Sequence, residues 1–211
     1  MNAHTQRCLC DGPAGAIECA IDLPPGVEPA ATRATAVICH PHPQGGGTMD
    51  NKVVQTLARA FLQLGCRAVR FNFRGVGGSA GHWDEGRGEL ADALAVIAAQ
   101  RGPGALWLAG FSFGAYIAAE AATHLEEGTK AQRLVLVGPS TQKQLVPAVP
   151  ADTLVIHGES DDVVPLSATL EWARPQALPV IVFPGVGHFF HGQLALLRNV
   201  VVTQLQQRLV R

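Results

Sequence analysis

Short apolar runs, separated by segments of helical periodicity, constrain this chain more than any other feature. Five of the runs are Ala36-Val37-Ile38-Cys39, Leu106-Trp107-Leu108-Ala109, Leu134-Val135-Leu136-Val137, Leu154-Val155-Ile156 and Val180-Ile181-Val182-Phe183. A sixth spans residues 68–73 and is interrupted by Arg70 and Asn72. Each is too short for a helix, and most lack polar alternation, as strands buried on both faces of a parallel sheet do. Between most of them apolar residues recur at three- and four-residue spacing. Val53, Val54, Leu57, Ala58, Phe61, Leu62 and Leu64 form one such set, and Leu90, Ala93, Leu94 and Ile97 another. Residues 116–125 are rich in Ala, and residues 194–209 read as a long amphipathic helix. The alternation predicts βαβ units: a doubly wound, mostly parallel sheet in a three-layer α/β/α sandwich. Ahead of it, residues 5–9 and 16–21 flank Asp11-Gly12-Pro13. That predicts an antiparallel hairpin within residues 1–24, packed at one sheet edge.

No linker, repeat or low-complexity stretch divides the 211 residues, so one domain over residues 1–211 is expected. The Pro-rich stretch at residues 147–150 is short and lies between two strands, leaving no room for an inserted cap.

Charged residues are only 16% of the chain, which argues against disorder. Sixteen Lys+Arg against 17 Asp+Glu give a net charge of −1, without the basic excess of a nucleic-acid binder. No run approaches the length that spans a bilayer, and residues 1–7 lack the apolar centre of a signal peptide. Five cysteines leave at least one unpaired within the chain, and Cys8 and Cys10 have no second pair to complete a zinc site. These features predict a cytoplasmic, reduced protein with no nucleic-acid or membrane partner.

The strongest chemical signal is Gly110-Phe111-Ser112-Phe113-Gly114, between a predicted strand and a predicted helix. That is the setting of a nucleophile elbow. The turn must be tight enough to lift the hydroxyl clear of the sheet, and close chain passage demands glycine two residues either side. The helix N-terminus beneath adds free N–H groups and a positive dipole end. A serine needs a base, and the base needs an orienting acid. Two later strands run into candidates: residues 154–156 into His157-Gly158-Glu159-Ser160-Asp161-Asp162, and residues 180–183 into Pro184-Gly185-Val186-Gly187-His188. The order Ser, acid, His suits an α/β-hydrolase, and both candidates fall at C-terminal strand ends, where open α/β sheets bind ligands. Asp161 and Asp162 both remain candidates for the acid. His191 rivals His188 and reads as a helix-start residue or a support for the pocket. His157 reads as a structural histidine.

A tetrahedral intermediate needs two N–H donors aimed at its oxyanion. The residue after the serine, Phe113, would supply one. The loop His40-Pro41-His42-Pro43-Gln44-Gly45-Gly46-Gly47 would supply the other. Pro41 and Pro43 have no N–H, so His42 is the first donor past the strand.

With these pieces in place, the chain resembles the α/β-hydrolase superfamily. Within it, the chain is similar to small, lidless bacterial serine hydrolases with a His-Pro-His-Pro loop, related to dienelactone hydrolase. The matching pieces are His40–Pro43 with residues 46–52, Phe71-Asn72-Phe73-Arg74-Gly75-Val76-Gly77, residues 110–114, residues 157–165 and Gly187-His188-Phe189-Phe190. The resemblance implies a catalytic triad of Ser112, Asp161 and His188, because the family acid lies four residues after the His of the His-Gly turn. It implies neither metal nor organic cofactor. Homodimerisation would follow only from the family's habits.

Three other readings compete. His40-x-His42 has the spacing of a metal pair, with Asp161, His188 and His191 as further ligands. Metal-binding His-x-His usually lies in a larger barrel, and prolines either side of His42 suit a stiff loop better. Gly75-Val76-Gly77-Gly78-Ser79-Ala80 matches a dinucleotide fingerprint, but no helix opens there and no acid follows at a strand end. A silent binding protein would have lost a triad member, and none is missing. The expectation is therefore hydrolysis of a small-molecule acyl substrate, a short-chain carboxylic ester first, with thioester or amide served by the same chemistry. His40, Gln44, Phe111, Phe189 and His191 are the pocket candidates.

Overall fold

The structure, a computed structural model, describes residues 5–102 and 104–209, with side chains given through residue 207. Residues 1–4 of the predicted N-terminal hairpin region lie outside the described residues. Eight strands form one sheet: β1 (Gln6–Gly12), β2 (Gly15–Asp22), β3 (Ala34–Cys39), β4 (Arg67–Phe71), β5 (Ala105–Phe111), β6 (Arg133–Val137), β7 (Leu154–Gly158) and β8 (Val180–Phe183). Five helices accompany them: α1 (Lys52–Gln63), α2 (Arg87–Gln100), α3 (Phe113–Thr123), α4 (Leu166–Ala173) and α5 (Leu194–Leu209). The sheet order is β1-β2-β4-β3-β5-β6-β7-β8. β1 and β2 form the predicted antiparallel hairpin, and β2 joins β4 antiparallel. Every other pairing is parallel.

Period-two alternation divides the strand side chains between two layers. Ala34, Ala36 and Ile38 of β3, with Trp107, Ala109 and Phe111 of β5, face α1 and α5. Val37 and Cys39 of β3, with Leu106 and Leu108 of β5, face α2 and α3. The three-layer arrangement follows, with the central strands buried on both sides. Asn51 caps α1, its side chain accepting from the N–H groups of Val53 and Val54. The buried stripe of that helix runs through Val53, Leu57, Ala60 and Phe61, where Phe61 meets Trp107 edge-on at 6.0 Å. The polar residues that interrupt the sixth apolar run both work at this end of the sheet. Arg70 is buried against Asp22 at 3.0 Å and donates to Asp50 and the Met49 carbonyl. Asn72 accepts from the Met49 N–H and donates to Glu18.

Helix α4 has no counterpart in the sequence reading. It crosses from β7 to β8 and packs Ala173 on Val155. The final helix begins at Leu194, so His191 lies in the turn ahead of it rather than at its start. Between β6 and β7, residues 138–153 form turns and extended chain, with no cap. Among the described residues no helix is long and apolar enough to cross a membrane.

Candidate active site

Strand β5 ends at Phe111 and α3 begins at Phe113, so Ser112 makes the turn alone. It adopts φ 57° and ψ −120°, a strained conformation for a residue with a side chain. Backbone bonds hold it on both sides: its N–H donates to the Val137 carbonyl at 2.9 Å, and its carbonyl accepts from the N–H groups of Ala115 at 3.0 Å and Tyr116 at 3.4 Å. A Cβ at Gly110 would strike the Gly114 carbonyl, and one at Gly114 would strike the carbonyls of Cys39 and His40. Glycine at both places lets the elbow close against the end of β3.

The turn after β8 presents His188, and the turn after β7 presents Asp161. His188 Nε2 lies 3.0 Å from Ser112 Oγ. His188 Nδ1 lies 2.6 Å from Asp161 Oδ2. The other carboxylate oxygen accepts from the N–H groups of Val163 at 3.0 Å and Val164 at 2.8 Å. Burial alone would raise the Asp161 pKa. The bond from His188 and those from the two amides outweigh it, and the carboxyl lies below its usual range. Packing fixes the His188 ring, with Phe111 at 4.8 Å and Phe189 at 5.1 Å between centroids.

Behind the acid stands His157, fully buried. Its Nε2 is 2.9 Å from the Val164 carbonyl and 3.3 Å from Asp161 Oδ2. Its Nδ1 meets the Thr169 hydroxyl of α4 at 3.2 Å, and Thr169 meets Thr141 at 3.1 Å. Burial lowers the His157 pKa, against the opposing pull of Val164 and Asp161.

In front of Ser112 opens a cleft of about 450 Å³. Pro41, His42 and residues 44–47 form one wall. That loop curls around the His42 carbonyl, which accepts from Gly45 and Gly47, both at 3.0 Å. Phe113 lines the cleft beside Ser112, and its ring lies 5.2 Å from that of His42. Burial pushes the His42 pKa down, and the charge of Lys143 lowers it further.

The structure brings Ser112, His188, His42, Phe113, Gln44 and Phe189 to one cleft, with Asp161 directly behind His188. Three pocket candidates fall elsewhere. His40 is fully buried and outside the cleft lining. Its Nε2 accepts from the Phe73 N–H at 3.0 Å, so Nδ1 carries the proton and donates to the Pro41 carbonyl. Both nitrogens are thus committed, which also removes His40 from any metal pair with His42. Phe111 is likewise fully buried, because strand alternation turns it toward the α1/α5 layer, where it supports His188 from behind. His191 lines two neighbouring depressions, both of which share Phe189 with the cleft. Asp162 is exposed in one of these, beside His191. The sequence reading missed Asn51, Ser140, Lys143, Val163 and Val164, which also line the cleft. Each follows or precedes an element at the C-terminal edge of the sheet, and that placement was the available signal.

A hydroxyl, an imidazole and a carboxylate joined in this order can pass the hydroxyl proton to the ring while the carboxylate fixes the tautomer. Residues 37–152, more than half of the chain, match the alpha/beta hydrolase fold family. A lidless α/β serine hydrolase of Xanthomonas campestris is 39% identical over 98% of this chain and 96% of its own, with a TM-score of 0.87. An α/β serine hydrolase homologue of Coxiella burnetii is 42% identical over 95% and 97%, with a TM-score of 0.81. Among curated relatives, an uncharacterised Rickettsia prowazekii protein is 46% identical over 87 residues, 39% of this chain and 37% of its own length. An uncharacterised Mycobacterium tuberculosis protein is 32% identical over 178 residues, 68% of this chain and 60% of its own length. The chain thus spans less than two thirds of either curated relative. An elbow closed by two glycines, a sheet in this order and full-length likeness to two serine hydrolases agree: the chain belongs to the α/β hydrolase fold family.

Proposed function

We propose that the protein hydrolyses short-chain carboxylic esters through an acyl-enzyme on Ser112. The observation that carries this reading is His188 bridging Ser112 at 3.0 Å and Asp161 at 2.6 Å. His188 takes the proton as Ser112 attacks the ester carbonyl, and returns it to the departing alcohol. Water then repeats the cycle on the acyl-enzyme. Asp161 keeps the proton on Nδ1 and stabilises the imidazolium. The amides of Phe113 and His42 receive the oxyanion, the latter from the stiff His-Pro-His-Pro loop. No step calls for a metal or organic cofactor. The open cleft favours short acyl groups, since among the described residues no cap encloses a long chain.

Exposure to a fluorophosphonate, read by intact mass, tests the nucleophile. One adduct on the wild type and none on Ser112→Ala is expected; no adduct on folded wild type overturns the reading. Across an acyl series, the rate should fall well before decanoyl. A rate rising steadily to decanoyl contradicts the short-chain preference.

A further inference from the structure

We infer that the preferred esters carry a carboxylate, and that Lys143 is the group that reads it. This rests on the ester-hydrolase reading. Lys143 lies on the segment between β6 and β7 and is exposed at the mouth of the cleft that holds Ser112 and His188. No Asp or Glu lines this cleft. Asp161, the acid of the site, has a side chain with no exposure and is turned to the rear face of His188. Among the described residues Lys143 has no ion-pair partner, whereas Lys130, ahead of β6 at the opposite end of the strands, pairs with Glu127. The Lys143 charge also acts on His42, where after burial it is the next influence lowering the imidazole pKa, against a smaller opposing pull from Glu89.

The rest of the lining fits the same ligand. Asn51 spends its carbonyl oxygen on the cap of α1, which leaves its amide N–H groups as donors. Gln44 offers a second side-chain amide in the lining. Pro41, Phe113, Val163, Val164 and Phe189 are apolar. A cleft with apolar walls and one uncompensated cation concentrates its field and draws in anions. A short apolar arm ending in a carboxylate matches both surfaces, and a charge-assisted hydrogen bond to ammonium supplies the selectivity.

Two ester pairs test this and separate the two places the carboxylate can sit. Monoethyl succinate against ethyl pentanoate puts the charge on the acyl side. Para-acetoxybenzoate against para-tolyl acetate puts it on the leaving group. In at least one pair the wild type should favour the charged ester by about tenfold in kcat/KM, carried by KM, as one partly screened contact allows. Lys143→Gln should bring that ratio toward one, Lys143→Glu should invert it, and high salt should shrink it in the wild type. The responding pair identifies the side that Lys143 reads. A wild-type ratio near one in both pairs, or a ratio unmoved by Lys143→Gln, overturns the inference and leaves the hydrolase reading standing. Hydrolysis of none of the four esters overturns the ester reading itself, and this inference with it.

Discussion

His157 stands behind Asp161, with its Nε2 3.3 Å from the Oδ2 atom that also meets His188. The second imidazole touches neither Ser112 nor the cleft, so its effect passes through the carboxylate. Thr169 and Val164 fix its orientation in turn. His157→Gln should therefore lower kcat, on the order of tenfold, with KM little changed, since orientation rather than binding is lost. Steady-state kinetics with circular dichroism of the variant checks this; an equal loss in KM alone would contradict it.

Asp161 and Asp162 are neighbours in sequence with different surroundings. Asp161 is buried and bonded to His188 and two amides, whereas Asp162 is exposed. Asp161→Asn should cut kcat by about a thousandfold or more, because the wrong imidazole tautomer faces Ser112. Asp162→Asn should stay within about twofold, as surface changes away from such contacts do. Comparable losses in both variants would remove Asp161 from its assigned role.

Gly114 lies against the carbonyls of Cys39 and His40, at the junction of β3, β5 and α3. Gly114→Ala should destabilise the fold by about 3 kcal/mol, because backbone rather than a mobile side chain would have to move. Urea denaturation measures it. A change well under 1 kcal/mol, roughly a surface-scale effect, would contradict the close approach.

His40 is buried and its pKa falls from 6.5 to about 4, with the bond to Pro41 offsetting only part of the burial. Between those values the unfolded chain binds more protons than the folded one, so stability drops as the pH falls from 6.5 toward 4. The loss from His40 alone is about 3 kcal/mol. His157, also held down by burial, adds in the same direction. The depressed Asp161 acts in a lower window, losing its contribution as the pH falls below the ordinary carboxyl value of 3.8. Urea midpoints measured from neutral pH down to 4 should fall across the histidine window; a flat profile there would contradict the burial argument.

The parallel strands were legible because β3, β5, β6 and β7 are buried on both faces and carry little polar alternation to confuse the pattern. The elbow was legible because its steric demand for glycine leaves a mark in the sequence itself. Helix α4 was not, since it buries only Thr169 and Ala173 and opens at Pro165 without a side-chain cap. The spacing of Leu166, Thr169, Leu170 and Ala173 was its one signal. Side-chain direction at strand ends was also hidden. Phe111 and Phe113 are two residues apart, yet the turn at Ser112 sends them to opposite layers. His40 looked available because nothing local reveals that the Phe73 N–H claims its ring. Lys143 escaped notice because it belongs to no motif, and its place in the segment after β6 was a weak signal beside the motifs.

Strand β8 is four residues long, sits at the sheet edge bonded only to β7, and leaves Val180, Ile181 and Val182 partly exposed. Ser112 follows β5, in the middle of the sheet and buried from Leu106 onward. His188 and Ser112 are thus anchored to parts of the molecule with unequal resistance to local opening. On warming, the edge should detach first and carry His188 away from a still-intact elbow. Turnover would then cease several degrees before the helices melt, and brief heating followed by cooling would restore it.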